Sequence, residues 1–302
     1  MTSTGFPMLP FFEQPVWHLG PLTIHAFGVT AAVGLWVGLT MAERRFARDS
    51  LDVTIGRRLG FWMLAAGLVA AHLFSVIFYF PDQLRTDPWL LLRVWEDIAS
   101  FGGMVGGVVG ALLFFALRAP RLSARSRLAY LDVIAFVFPF GMAFGRLGCA
   151  MAHDHPGVVT SFPLAISLHS ANAQAYIQDV YAVAGQALPA GAATMGFHDL
   201  GFYECLFLIF VVLPVFTLLD RRRRKPGFYL VAFGVLYLPV RFALDCLRVS
   251  DARYLHLTPA QWVAALTMAA IPLVAMDRRK VRFVISGAVI LGTAWACWGG
   301  PR

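Results

Sequence analysis

Runs of about 20 consecutive apolar residues dominate the chain, and a run of that length is long enough to cross the hydrocarbon core of a bilayer as one helix. Seven strong runs occupy roughly 22–42, 60–80, 98–118, 129–150, 201–219, 227–247 and 258–276, and a weaker eighth, short and rich in small residues, occupies 282–299. Inside lipid every backbone polar group must be paired within its own segment, so such runs read as helices. The sequence is 59% hydrophobic and only 14% charged, whereas a soluble domain carries about 25% charged residues. The expected fold class is therefore all-α: a polytopic integral membrane bundle of seven to eight transmembrane helices.

Basic clusters separate alternate pairs of runs. Arg44, Arg45, Arg48, Arg57 and Arg58 follow the first, Arg118, Arg121, Arg125 and Arg127 the third, Arg221 to Arg224 and Lys225 the fifth, and Arg278, Arg279, Lys280 and Arg282 the seventh. Segments 81–97, 151–200 and 248–257 are poorer in Lys and Arg. The positive-inside rule then puts the N-terminus and the 151–200 segment on the outer side. The net charge of +8 reads as cytoplasmic loops against an anionic leaflet, not as a nucleic-acid patch. The N-terminus lacks a basic region followed by a short apolar core, so no removable signal peptide is expected. Four isolated cysteines, Cys149, Cys205, Cys246 and Cys297, give no disulfide framework. The chain reads as one membrane domain over 1–302, with 151–200 inserted between the fourth and fifth helices as a folded periplasmic or interfacial cap.

Polar residues inside the runs are the candidates for function, because a charge at mid-bilayer costs at least about 2.5–3.5 kcal/mol. The sixth run carries Tyr237, Arg241, Asp245 and Arg248. Spacings of four, four and three put them on one helical face. A structural ion pair is one reading. The other is an electropositive stripe, two arginines against one aspartate, that receives a phosphate. The fourth run ends at Arg146, beside Cys149, and leads into His153, Asp154, His155 and Gly157. Arg146 either snorkels to the interface or belongs to a site with those histidines. Metal binding is not expected, because adjacent loop residues do not easily face one ion. Gly102, Gly106 and Gly110, with Gly103 and Gly107, form stripes that suit close helix packing; Gly102 and Gly103 beside a headgroup are the alternative.

In order along the chain, these segments resemble the prolipoprotein diacylglyceryl transferase family from about residue 20 to 265. Gly20-Pro21 with His25-Ala26-Phe27-Gly28 resembles G-P…H-W-Y-G. Val76–Tyr79, followed by Val94-Trp95-Glu96, resembles the approach to the family's third helix, and Ser100-Phe101-Gly102-Gly103 falls where the family has S-F/I-H-G-G. Gly145-Arg146-Leu147-Gly148 matches the head of the family signature and Gly157 its closing glycine. His198 with Phe202-Tyr203-Glu204 resembles H-P-S-Q-L-Y-E. Tyr237, Arg241, Asp245 and Arg248 match Y-x3-R-x3-E-x2-R, and Leu257-Thr258 with Gln261-Trp262 resembles the opening of the last family helix.

The resemblance implies a transferase at the outer face of a bacterial inner membrane. It would move the diacylglyceryl group of phosphatidylglycerol onto the lipobox cysteine of a preprolipoprotein, with those two and membrane lipids as partners, no cofactor and no nucleic acid. Arg146 and Arg241 would contact phosphate, Tyr237 would orient the headgroup and Asp245 would hold Arg241. Arg248, Gly102, Gly103, Gly157 and His198 would complete the substrate site. Departures from the family pattern are Phe101 for its His, Phe27 for its Tyr, Cys149 for its Asn, and Asp154 and Asp245 for its two Glu. Phe101 cannot take a proton, so His153 or His155 from the loop, where Asp154 also suits acid/base work, would substitute, or Arg146 would suffice with water. A related enzyme with another acceptor, or a non-catalytic lipid-binding protein, are the other readings.

Overall fold

The computed structural model describes residues 8–20, 22–93, 99–249 and 253–275. A hairpin of β1 (Val16–Leu19) and β2 (Leu22–His25) leads into α1 (Ala26–Arg48), α2 (Val53–Phe78), the short α3 (Pro81–Thr86), α4 (Ser100–Leu117) and α5 (Ala124–Ala152). Next come β3 (Pro156–Thr160), β4 (Ile166–Ser167), α6 (Ala171–Val183) and β5 (Gly196–Asp199). The chain ends with α7 (Leu200–Leu219), α8 (Phe228–Asp245) and α9 (Pro259–Ala275). Helices α1, α2, α5, α7 and α8 are long and apolar enough to cross a membrane, and α4 and α9 contribute shorter apolar segments. Trp36, Phe61, Leu112 and Phe210 point outward, as expected where lipid is the solvent. The protein is a multi-pass helical membrane protein.

Two expectations change. Residues 22–25, read as the start of the first helix, form β2 of the hairpin, which turns at Gly20 with φ +61. The eighth run, 282–299, lies outside the described residues.

Helix starts follow local chemistry. Asp52 caps α2 by accepting from Thr54 N at 2.7 Å, and Ser123 caps α5 through Ser126 N at 3.1 Å. Thr258 and Gln261 form a reciprocal capping box at α9, with 3.0 and 3.1 Å bonds. Pro214 lacks an N–H and crowds the preceding turn, and α7 absorbs it with a π-helical stretch over Leu208–Val212.

Glycines let the helices pair closely. A Cβ on Gly102 would lie 2.7 Å from Ala70 O, one on Gly106 2.5 Å from Ala66 O, and one on Gly110 2.9 Å from Ala66 Cβ. Gly103 likewise faces Ala71 and Gly67 of α2. The stripe therefore serves packing against α2. On the other side, a Cβ on Gly141 of α5 would lie 2.7 Å from Gly34 O of α1.

The 151–200 segment forms an antiparallel sheet of order β3-β5-β4 with α6 packed on it around Leu168, Ile177 and Phe197. The N-terminal strand segment joins this unit: Leu9 N donates to Ala165 O at 2.9 Å and Ser167 N to Leu9 O at 2.8 Å. The basic ends of α1 and α7 meet through Arg45, Arg48 and Asp220, so those loops share one end of the bundle.

Candidate active site

Helices α5, α7 and α8 converge on a buried charge cluster. α5 brings Arg146, α7 brings Glu204 and α8 brings Tyr237, Arg241 and Asp245. Arg146 and Arg241 are 3% and 4% exposed, and Glu204 and Asp245 are fully buried. Arg146 Nε lies 2.9 Å from Glu204 Oε1 and Arg241 Nη1 donates to Oε2 at 3.3 Å, so one carboxylate pairs with both guanidiniums. Tyr237 also donates its hydroxyl to Glu204 Oε1.

Asp245 lies 3.1 Å from Arg241 Nη2 and 3.9 Å from Arg248 Nη1, and it accepts from the Thr258 hydroxyl. Three buried side-chain polar atoms lack a hydrogen-bond partner among the described residues, and two belong here: Arg241 Nε and Asp245 Oδ1. Asp245 Oδ1 is close enough to Arg241 for attraction but has no aligned hydrogen bond.

The sequence reading of α8 as two arginines against one aspartate is corrected by Glu204, which supplies the second buried anion. Glu204 was quoted above only as part of a motif. Its signal was present, as it is the sole charged residue within Leu200–Leu219, where a charge is costly unless paired.

After α5 the chain turns back on itself. His153 adopts φ +51, and Asp154 N reaches Cys149 O at 3.4 Å. The reversal lays His155 against the cluster. Arg146 Nη1 lies 3.1 Å from His155 Nε2 and 3.5 Å from Cys149 Sγ, while His155 Nδ1 bonds Asp154. Because an arginine only donates, His155 Nε2 accepts and Nδ1 carries the proton toward Asp154. Burial, with Arg248 and Arg146 nearby, pushes the His155 pKa down to about 4. Burial raises the Asp154 pKa, but the bond from His155 and the charge of Arg146 outweigh it and hold the carboxyl below its usual range.

Ligand atoms of Cys149, Asp154 and His155 lie within 4.8 Å of one another, so the loop residues do converge, contrary to the spacing argument. The proton arrangement opposes a cation there. A metal on Nδ1 would move the proton to Nε2, against the Arg146 N–H, and would sit beside a guanidinium.

Other expected site residues lie elsewhere. His153 turns away, bonding Asp199 through Nδ1 at 2.6 Å and Phe12 O through Nε2 at 3.1 Å. It makes no contact with Arg146 among the described residues, so the structure places it apart from the cluster. His198 Nδ1 pairs with Tyr203 OH at 3.0 Å. A Cβ on Gly157 would lie 2.9 Å from Leu247 O and 2.9 Å from His198 Cβ. Its missing side chain therefore admits the β3 strand against the end of α8, beside Arg248.

A family model described as prolipoprotein diacylglyceryl transferase matches residues 14–276. Curated proteins named phosphatidylglycerol–prolipoprotein diacylglyceryl transferase, from Escherichia coli O1:K1 / APEC, E. coli strain K12 / DH10B and Shigella boydii serotype 18, are similar. Each is 26% identical over 307 residues, covering 100% of this chain and 99% of the relative.

Proposed function

The chain belongs to the prolipoprotein diacylglyceryl transferase family, and from that premise we propose that it transfers the diacylglyceryl group of phosphatidylglycerol to the lipobox cysteine of a preprolipoprotein. The sulfur forms a bond to the glycerol carbon, the carbon–oxygen bond to phosphate breaks, and glycerol phosphate leaves with the electron pair. The reaction takes place at the outer face of the inner membrane. The meeting of the arginine-rich ends of α1 and α7 at the opposite end of the bundle supports this orientation.

The observation that carries the reading is the buried, unpartnered Nε of Arg241 beside a second guanidinium. A buried donor without an acceptor costs about 1–3 kcal/mol, and a phosphate oxygen would satisfy it. Glu204 holds both guanidiniums beside the site before substrate arrives; Arg241 meets the departing phosphate without reorganisation, and Arg146 has only to turn its Nη1 away from His155. Tyr237 locks Glu204, and Asp245 locks Arg241.

The thiol proton goes to His155. When Arg146 swings onto phosphate it leaves the Nε2 lone pair, and Asp154 stabilises the imidazolium that forms, as a carboxylate orients a catalytic histidine elsewhere. This dyad replaces the family histidine whose place is held by Phe101.

The test is to incubate the purified protein with phosphatidylglycerol and a lipobox peptide and to seek the diacylglyceryl thioether by mass spectrometry. Product that vanishes with a Cys→Ser peptide supports the proposal. Lipid consumption without thioether would point to a different acceptor, and no lipid turnover by folded protein would point to a non-catalytic role.

A further inference from the structure

We infer that His153 is a positioning residue: as an imidazolium it braces the end of α5 against the start of α7 and against the N-terminal strand segment, keeping Arg146 and Glu204 in register. The inference rests on the reading of Arg146 and Glu204 as parts of the phosphate site.

His153 occupies the left-handed backbone region, φ +51 and ψ 29, as the C-cap of α5. That region is uncommon for residues with a side chain, though histidine is among those enriched there. Its side chain is 3% exposed. Both ring nitrogens face acceptors, Asp199 Oδ2 at 2.6 Å and Phe12 O at 3.1 Å. A neutral imidazole has one donor only, so the doubly protonated ring alone satisfies both.

The contacts reach four elements. Phe11 stacks on the ring at 4.9 Å and Phe12 meets it edge-on at 4.9 Å, both from the N-terminal segment. Tyr176 of α6 donates to the His153 carbonyl, and Phe197 of β5 packs at 6.0 Å. Asp199 extends the brace: its other oxygen caps α7 by accepting from Phe202 N at 2.9 Å. Glu204 follows within the next turn.

The charged and titratable groups around this core are Asp199 on β5, Asp154 and His155 on the same reversal, Tyr176 on α6 and Arg248 after α8. Burial raises the Asp199 pKa, and the bond from His153 opposes that rise.

The experiment uses the full chain in nanodiscs with 15N-labelled histidine. At pH 7 one imidazole should show both nitrogens protonated, and that signal should be missing from His153→Gln. A neutral ring at this position would overturn the brace whatever the activity.

His153→Gly relaxes the left-handed turn while removing the side chain, so it separates brace from backbone strain. It should lower kcat tenfold or more, since misplacing a catalytic group by about 1 Å can cost on the order of 100-fold. It should also speed proteolysis of the N-terminal segment. Asp199→Asn should do the same, and the double variant should be no worse than either. Wild-type kcat and proteolysis in His153→Gly would overturn the inference. Absence of product from the wild type would instead sink the transferase reading, leaving the nitrogen signal and the proteolysis to judge the brace.

Discussion

Each end of the bundle pairs two arginines with a shared carboxylate, fully buried at one end and partly exposed at the other, and the two ends satisfy them differently. At the basic end, Arg45 and Arg48 each reach Asp220 at 2.8 Å, and Tyr229 OH joins at 3.0 Å. The Arg45 guanidinium lies 3.5 Å from the centre of the Phe136 ring, and Asp132 of α5 accepts from Tyr229 N and Leu230 N at the start of α8. No buried side-chain atom of that group lacks a partner among the described residues. The cluster at the other end has the same chemistry, yet it leaves Arg241 Nε and Asp245 Oδ1 unmatched. A completed network fixes helices; an incomplete one, held rigid, is prepared for a group that arrives later.

The largest expected effect separates the two by activity. Arg241→Ala and Arg146→Ala should each lower turnover of phosphatidylglycerol by about 100- to 1000-fold, the usual consequence of removing one preorganised donor to developing charge. Asp220→Asn should leave turnover per folded molecule unchanged. Lipid turnover assayed alongside the folded fraction decides it. Equal losses from Asp220→Asn and Arg241→Ala would break the comparison.

Stability should run the same way but for a different reason. Glu204→Gln leaves the buried Arg146 without its carboxylate and Arg241 with Asp245 alone, and breaking a buried pair from one side costs about 3–5 kcal/mol. Asp220 keeps contact with solvent, so Asp220→Asn should cost about 1 kcal/mol. Thermal melts in one detergent rank the two, and a milder loss in Glu204→Gln would show that its bridge is not what holds the arginines.

Acid should weaken the two ends in sequence. The folded pKa of His155, about 4, lies below the unfolded value of about 6.5. Between those values the unfolded chain binds the extra proton, so stability falls as pH drops from 6.5 to 4. At Asp220 burial acts upward, but bonds from Arg48 and Arg45 bring the pKa down to about 2, below an unfolded value of about 3.9. Its contribution is intact above 3.9 and is lost as pH falls through 2. Hydrogen exchange followed during acid titration should therefore show the end of α5 loosening before the start of α8. His155→Asn should remove the first phase only.

The contrast also explains how far the sequence could be read. Hydropathy located the seven apolar helices α1, α2, α4, α5, α7, α8 and α9, because the solvent dictates a length and a composition for each. The hairpin at 16–25 was hidden, since Leu22–His25 continues an apolar run and a strand inside it changes no composition. The face carrying Tyr237, Arg241 and Asp245 was legible because one helix fixes their spacing. Glu204 was not read as part of the site, because its meeting with both arginines depends on how α7 packs between α5 and α8. The contact of His155 with Arg146 depends on one left-handed residue, His153, and no spacing rule announces it.

The smallest expected effect compares two helix starts. Asp132 caps α8 from a neighbouring helix, and Asp132→Asn keeps an acceptor oxygen there, so only the interaction of its charge with the helix dipole is lost. That should cost about 0.3–1 kcal/mol, with turnover untouched. Thr258 caps α9 within its own turn, and Thr258→Ala should cost about 1 kcal/mol. Thr258 also donates to Asp245, however, so its removal frees the carboxylate that steadies Arg241. Turnover should then fall several-fold while Tm drops only slightly. Thr258→Ser, which keeps the hydroxyl, should restore turnover. If Thr258→Ala instead behaved like Asp132→Asn, Asp245 would be held by the arginines alone, and the Arg146–Arg241 cluster would end at α8.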